Sequence, residues 1–234
     1  MSMKFSIIVP AYNEEKLLPK CLESLVNLDY DKNEFEIILV NNNSQDRTRE
    51  IALSFSGVKA IDEPKQGNVF ALIRGCREAR GEILVFTDAD TQAPKDWLKK
   101  FEKAYQDKKV VCAGGPGIFR PVVFAGAVAE RAIRWGGVIT KLAPCFNLSI
   151  RKKVYEDIGG FDEKINFEQD IYLITKSKKV GKIKYLLDNP IITSSRRYKN
   201  VHKSLVYASK GLINLVSLLL LKKTLFFDFD NIRS

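Results

Sequence analysis

Apolar and polar positions along this chain follow a regular rhythm. Residues 4–9, KFSIIV, form a short apolar run ending at Pro10, which predicts a buried strand. Residues 15–28 then carry Leu17, Leu18, Cys21, Leu22, Leu25 and Val26 at helical spacing. FEIILV at 35–40 predicts a second strand. The turn Asn41-Asn42-Asn43-Ser44 follows, then a helix over 47–54 capped by Ser44 or Asp46. Val58 to Ile61 reads as a third strand. Residues 67–79 read as a helix with Val69, Phe70, Leu72, Ile73 and Cys76 on its apolar side, stopped by Gly81. ILVFTDAD predicts a fourth strand entering an acidic turn. Pro94 opens a helix to about residue 105, and VVCAGG predicts a fifth strand.

This alternation predicts an α/β fold with a largely parallel sheet covered on both faces. Such sheets bind ligands beyond the carboxyl ends of their strands. Polar segments 10–15, 41–46 and 87–92 all fall at predicted strand ends, so the fold should gather them on one rim. Beyond residue 117 the rhythm changes. Residues 121–140, with Arg131, Arg134 and Trp135, suit an amphipathic helix. Strands are predicted at 144–150 and 183–187, and Phe167-Glu168-Gln169-Asp170 opens a helix through about residue 178. Residues 204–221 predict an apolar helix carrying Lys210, Asn214 and Ser217. Its longest unbroken apolar run, Leu218 to Leu221, is far short of the ~20 residues of a membrane span.

Composition narrows the classes. With 234 residues, 45% apolar and 28% charged, the chain has enough core for a globular domain and is neither fibrous nor wholly disordered. The net charge of +10 is uneven: residues 1–140 carry net +1 and residues 141–234 net +9. A basic C-terminal third suits phosphates, nucleic acid or an anionic membrane, and charge alone does not choose among them. Cys21, Cys76, Cys112 and Cys145 lack CxxC spacing, and one histidine is too few for a Cys/His zinc cluster. Free thiols in a reducing compartment are expected. Met1 to Val9 lacks the pattern of a signal peptide.

Asp88-Ala89-Asp90 is the sharpest chemical signal. Along an extended segment Asp88, Asp90 and Gln92 would share one side. Paired carboxylates repel unless a cation or proton intervenes, and oxygen ligands suit Mg2+ or Mn2+. A solvated turn with Asp90 or Thr91 as a helix cap uses the same residues. Pro10 to Glu15 offers an aromatic face and a carboxylate, and Asn41 to Asp46 offers hydrogen-bonding partners for a nucleobase or ribose. Plain turns use both sets too. Lys65 and Gly67 suit phosphate approach. Arg196-Arg197 offers guanidinium forks for phosphates, or a solvated basic loop. Asp170 stands as a candidate general base or as a helix cap. A helix N-terminus stabilises its carboxylate, so its pKa should not rise without another cause. His202 carries little weight alone.

Taken in order, PAYNEE at 10–15, VNNNSQDRT at 40–48, DADTQ at 88–92, GGFDE at 159–163 and FEQD at 167–170 resemble the nucleotide-sugar-dependent glycosyltransferases of family 2. The resemblance spans roughly residues 3–200. It implies a GT-A fold, a Rossmann-like, mostly parallel mixed sheet with helices on both faces. The domain would cover 1–203, with a nucleotide-binding half at 1–115 and an acceptor half at 116–203. A C-terminal helical tail at 204–234 would follow. The resemblance further implies that Pro10, Ala11, Tyr12 and Glu14 line the nucleotide pocket with Asn42 facing the base. Lys65 and Gly67 then lie on the nucleotide side. The family often has Asp at 41 or 42, where this chain has Asn at both. Asp88, with Ala89 beside it, would face ribose and metal, and Asp90 would hold the metal more directly. Gln92 resembles the metal-side glutamine of polyprenyl-phosphate sugar synthases. The family's Glu-Asp pair becomes Gln169-Asp170, which puts the base on Asp170, with Glu168 as the neighbouring alternative. Arg196 and Arg197 fall on a late basic motif near the donor diphosphate.

The expected chemistry is a metal-dependent inverting transfer from a nucleotide-diphospho-sugar to a saccharide hydroxyl or a polyprenyl phosphate, with Mn2+ or Mg2+. A cytoplasmic location, at or away from the membrane face, goes with that reading. The 204–221 helix suits either a peripheral membrane contact or a homodimer. Two other classes compete. An inactive sugar-nucleotide-binding protein would keep the fold without turnover. A basic nucleic-acid-binding module is not expected, because the basic residues are scattered with little aromatic interleaving.

Overall fold

The computed structural model describes residues 3–165 and 169–198. Glu168, His202 and the 204–221 segment lie outside the described residues. Strands β1 (Phe5–Ala11), β2 (Phe35–Asn41), β3 (Val58–Asp62) and β4 (Ile83–Phe86) alternate with helices α1 (Leu18–Val26), α2 (Thr48–Ser54) and α3 (Asn68–Glu78). Next come β5 (Thr91–Gln92), α4 (Trp97–Tyr105), β6 (Val110–Gly114), β7 (Gly117–Arg120) and α5 (Phe124–Thr140). The remainder is β8 (Leu148–Arg151), α6 (Lys152–Asp157), α7 (Gln169–Ser177), β9 (Lys182–Tyr185) and β10 (Ile191–Ser194).

The large sheet has the order β3-β2-β1-β4-β8-β6-β9. Its first four strands are parallel, and β8 runs antiparallel to both neighbours. A second sheet of order β5-β10-β7 stands beside it. The fold is therefore the expected mixed, mostly parallel sheet. β1 is buried throughout because alternate side chains enter two cores. Phe5, Ile7 and Val9 pack on the side of α1 and α4, among Leu22, Leu25, Trp97 and Phe101. Ile8 joins Ile38, Val40, Leu72, Leu148 and Leu173 on the other.

Several boundaries differ from the sequence pattern. β1 runs through Pro10 to Ala11, since parallel pairing with Val40 and Asn41 continues past a residue that cannot donate. Pro94 heads a turn, and α4 begins at Trp97. β5, β7, α6 and β10 were not signalled. Three are strands of two to four residues, held by partners far off in sequence. Local periodicity cannot register pairing of that kind.

Close packing of α3 on the sheet depends on Gly75. A Cβ there would lie 2.5 Å from Cγ2 of Ile8 and 3.2 Å from Cγ2 of Val40. Gly75→Ala should cost about 1–3 kcal/mol by overpacking, seen as a lower urea midpoint with an unchanged m-value. An unchanged midpoint would show that α3 has room to shift.

Candidate active site

The chain runs β1, β2, β3 toward one edge of the sheet, then returns to place β4 on the other side of β1. Ligands of open α/β sheets sit at such a switch point, beyond the carboxyl ends of the diverging strands. Here those ends lead into residues 12–17 and 87–90. Both predicted rim segments at 10–15 and 87–92 are thus neighbours, and 41–48 lies alongside.

The first two loops are laced together. Asn13, in the left-handed region at φ 52°, donates its N–H to the Ser44 hydroxyl at 3.1 Å and accepts the Gln45 N–H at 2.8 Å. The Thr48 hydroxyl accepts the Glu14 N–H at 2.7 Å, and Asp46 accepts those of Glu15 and Thr48. Neither expected cap, Ser44 or Asp46, is the N-cap of α2, which is Arg47 with no side-chain cap; Asp46 lies one residue earlier and bonds the Thr48 N–H. Burial raises the Asp46 pKa, but hydrogen bonds, first from Thr48, outweigh it and leave the pKa below the usual value.

Glu14 emerges from this lacing with its carboxylate only 2% exposed. Arg196, in a short 3-10 turn after β10, meets it as a fork. Nη1 donates to Oε2 at 2.8 Å and Nη2 to Oε1. The same Nη2 lies 3.0 Å from Oδ2 of Asp90, whose side chain is 11% exposed. One guanidinium therefore joins the β1 loop to the β4 loop. Burial opposes its charge, but Glu14, Asp90 and Asp88 outweigh burial and raise the Arg196 pKa.

The acidic segment is a turn rather than a strand. β4 ends at Phe86, and the backbone carbonyl of Asp88 accepts the Thr91 N–H and, at 2.8 Å, its hydroxyl. The shared-side argument from strand alternation therefore does not hold. Gln92 is exposed on β5, paired with Ile192, while Ala89 and Thr91 are buried. The Cys21 thiol lies beneath the turn, 3.5 Å from the Asp88 carbonyl, and burial pushes its pKa to about 12. Among the described residues no group of three or more His, Cys, Asp or Glu side chains is placed to hold a metal.

Asp170, in the first turn of α7, is half-buried. It accepts the Cys145 N–H at 3.0 Å and the Ile171 N–H at 2.9 Å. Burial raises its pKa in spite of both bonds and the nearby charge of Arg197. The helix N-terminus alone would not raise the pKa, so another cause is at work. The cause is desolvation. Burial raises the pKa of the Cys145 thiol, and the charges of Asp170 and Asp88 add to that rise.

The other candidates are more tightly engaged than sequence implied. Asn42 is buried and donates to the carbonyls of Glu63 at 3.0 Å and Lys65 at 2.8 Å. Its oxygen accepts the Gly67 N–H at 2.7 Å. The Asn42 amide thus shapes the 63–67 loop. Gly67 has φ 140°, and a Cβ there would lie 3.0 Å from the Phe70 ring. Lys65 sits 3.8 Å above that ring and 3.0 Å from Glu163 of the GGFDE segment. Pro10 and Ala11 are buried at the end of β1, Tyr12 is half-buried, and Arg197 is exposed beside Arg196. Sequence reasoning missed the Cys145 amide that holds Asp170 and the Thr48 hydroxyl that holds Glu14. Nothing in their local sequence marks either role.

The glycosyl transferase family 2 profile matches residues 6–159, about two thirds of the chain. The chain belongs to this family. It is 30% identical over 188 residues to the glycosyltransferase AglE of Haloferax volcanii, covering 75% of this chain and 62% of AglE. A Methanococcus voltae protein is 27% identical over 210 residues, covering 84% of this chain and 60% of its own length. It is named a dolichyl N-acetyl-alpha-D-glucosaminyl phosphate 3-beta-D-2,3-diacetamido-2,3-dideoxy-beta-D-glucuronosyltransferase. The chain thus spans about three fifths of these relatives. Among solved structures, the mannosyltransferase PcManGT from Pyrobaculum calidifontis with GDP-Man and Mn2+ matches with TM-score 0.74 at 21% identity, over 91% of this chain and 63% of that one. TarS of Staphylococcus aureus with UDP-GlcNAc matches with TM-score 0.71 at 22% identity, over 96% and 68%. These likenesses establish the GT-A fold of the family.

Two measurements test the geometry. Arg196→Met leaves the Glu14 carboxylate without its fork and should cost about 1–3 kcal/mol, discounted because the guanidinium is 37% exposed. Adding Glu14→Gln should recover part of that loss, and strict additivity would deny the coupling. Asp170 binds its proton more tightly folded than unfolded. Its contribution is therefore present at low pH and declines as pH rises from the ordinary carboxylate range, about 4, through the higher folded value. Asp170→Asn should flatten the stability–pH curve across that interval, read by urea unfolding. An unaltered slope would show that Asp170 does not titrate there.

Proposed function

We propose that this chain transfers a sugar from a nucleotide-diphospho-sugar to an acceptor, inverting the anomeric configuration. The observation that carries the reading is the joining of Glu14, Asp90 and Arg196 across the β1–β4 switch point. A part-exposed guanidinium held there by two carboxylates suits a diphosphate. Pro10, Ala11, Tyr12 and Glu14 form the nucleotide-side wall, with the loop that Asn42 ties to Lys65 and Gly67 beside it. Ala89 fixes the floor between Asp88 and Asp90. The PcManGT and TarS structures, bound to GDP-Man and UDP-GlcNAc, favour a donor of that class.

Asp88 and Asp90 offer hard oxygen donors, the type that Mg2+ and Mn2+ take. Such ions commonly use one or two carboxylates and fill the rest with substrate phosphates and water. The guanidinium at Asp90 marks this as a place that accepts positive charge. The residues thus fit a divalent ion, held by Asp88 and Asp90 with Gln92 next along the chain. When bound, that ion supplies charge stabilisation for the departing diphosphate. Arg196 and Arg197 add fixed positive charge on the same side.

Asp170 takes the acceptor's proton. The acceptor oxygen bonds to the anomeric carbon as the bond to the diphosphate breaks, and the nucleoside diphosphate leaves. One displacement inverts the centre. A carboxylate whose pKa is raised by burial is a better base than an ordinary one at neutral pH. This favours a hydroxyl acceptor over a phosphate, which is already ionised and needs no base. The name of the Methanococcus voltae relative describes transfer to a lipid-linked sugar, and that acceptor class suits such a base.

The decisive experiment compares donor binding with turnover. Asp170→Asn should lower kcat at least a hundredfold while nucleotide-sugar binding by calorimetry stays within a few-fold, since proton transfer contributes roughly 10²–10⁴. Asp90→Asn should abolish the gain in donor affinity on adding Mn2+. Full turnover in the Asp170 variant with a hydroxyl acceptor would move the base elsewhere, and a retained Mn2+ effect in the Asp90 variant would do the same for the ion.

A further inference from the structure

Helix α5 is turned inside out. The side that meets the protein is built around glycine: Gly126 and Gly137 are buried, and a Cβ at Gly137 would lie 2.1 Å from the Tyr185 ring. Tyr185 also donates its hydroxyl to the Ile133 carbonyl at 2.9 Å. Glu130, the helix's sole acid, accepts the Phe119 N–H at 3.1 Å and lies 3.6 Å from Arg120. The opposite face carries the large apolar side chains. Phe124 is 88% exposed, Val128 52%, Trp135 61% and Ile139 82%. With Arg131, these positions recur every three or four residues, so they form one stripe about 80° wide. Val122, just before the helix, extends it at 69% exposed.

Soluble surfaces scatter such residues rather than align them. The charge along the stripe decides what covers it. Arg131 is exposed within it, Arg134 lies part-exposed at its flank, and Lys141 is exposed at its end. A twofold contact with a second copy would bring Arg131 toward Arg131. Residues 199–234 carry six basic and two acidic groups, so covering the stripe with them would add like charge. An anionic surface with an apolar interior complements both features.

We propose that the outward stripe of α5 docks on an anionic lipid surface. Phe124, Val128, Trp135 and Ile139 enter the interfacial layer, and Arg131 meets headgroup phosphates. No helix among the described residues is long and apolar enough to cross a membrane, so this is a helix lying on the surface. Both of its ends lead into the candidate site. β7, which precedes it, pairs with β10 and so with the turn holding Arg196. The segment after it ends at Cys145, whose amide holds Asp170. Docking would set the acceptor side of the site against the membrane, where a lipid-linked acceptor sits. The docking itself does not depend on the transfer reading.

The two tryptophans make the test specific. Trp97 is fully buried and donates to Asn147 at 2.9 Å, whereas Trp135 is on the stripe. The full chain is titrated with phosphatidylcholine vesicles with and without phosphatidylglycerol, following emission and sedimentation. Trp135 should shift to the blue only with the anionic vesicles. Trp135→Phe should abolish the shift while the protein still sediments. Phe124→Ser with Ile139→Ser should weaken partitioning by at least tenfold, with nucleotide-sugar binding and the unfolding midpoint unchanged. Three results would overturn the proposal: sedimentation with no change at Trp135, a blue shift that grows with protein concentration in the absence of lipid, or no interaction with either vesicle.

Discussion

A carboxylate buried at the end of the central strand needs a partner, and much of this structure answers that need. Glu14 is held by its own backbone: the Thr48 hydroxyl takes its N–H, and the lacing of 13–15 to 44–48 leaves the loop little freedom. Burying that charge without a counter-ion would be prohibitive. The partner comes from 182 residues away, because β10 pairs with β7 and β5 and delivers Arg196 to the rim. The small second sheet therefore has a purpose that its size conceals. It closes the site electrostatically.

The same guanidinium serves two carboxylates. Its fork satisfies Glu14, and one nitrogen also reaches Asp90. A lysine could supply the charge but not the two parallel bonds. The arrangement keeps Asp88 and Asp90 tolerable to the fold without solvating them fully. A phosphate-bearing ligand would meet positive charge already aimed, with little reorganisation left to pay for.

Sequence pattern revealed the part of the fold whose information is local. KFSIIV, FEIILV and ILVF announce buried parallel strands because each is apolar on both faces, and α1 and α3 show helical spacing. It also placed the three polar segments on a common rim, since a parallel sheet puts strand ends together. It could not reveal β7 and β10, whose four residues gain their stability from each other. The acidic turn was legible, but the extended alternation assumed for Asp88-Ala89-Asp90 was not met, because β4 stops at Phe86 and the Asp88 carbonyl takes the Thr91 hydroxyl. The bonds from the Asn42 amide to the 63–67 loop were not legible either, since they are visible only once β2 and β3 are paired.

Asp170 shows how tertiary burial overrides a local rule. The first turn of a helix favours a carboxylate, and two backbone N–H groups bond to it, so local chemistry argues for a low pKa. Burial against the 145 segment wins, because desolvation acts on the whole charge while each bond compensates only part. That outcome requires the segment after α5 to pack closely over α7. α5 can lie there only because Gly137 lets the Tyr185 ring approach its backbone. Glycines on the inner face of α5 and apolar residues on its outer face then follow from one constraint: the helix must sit close to the sheet without filling the space beneath it. Its bulky side chains are thereby displaced outward, where they are useful only if something apolar lies beyond them.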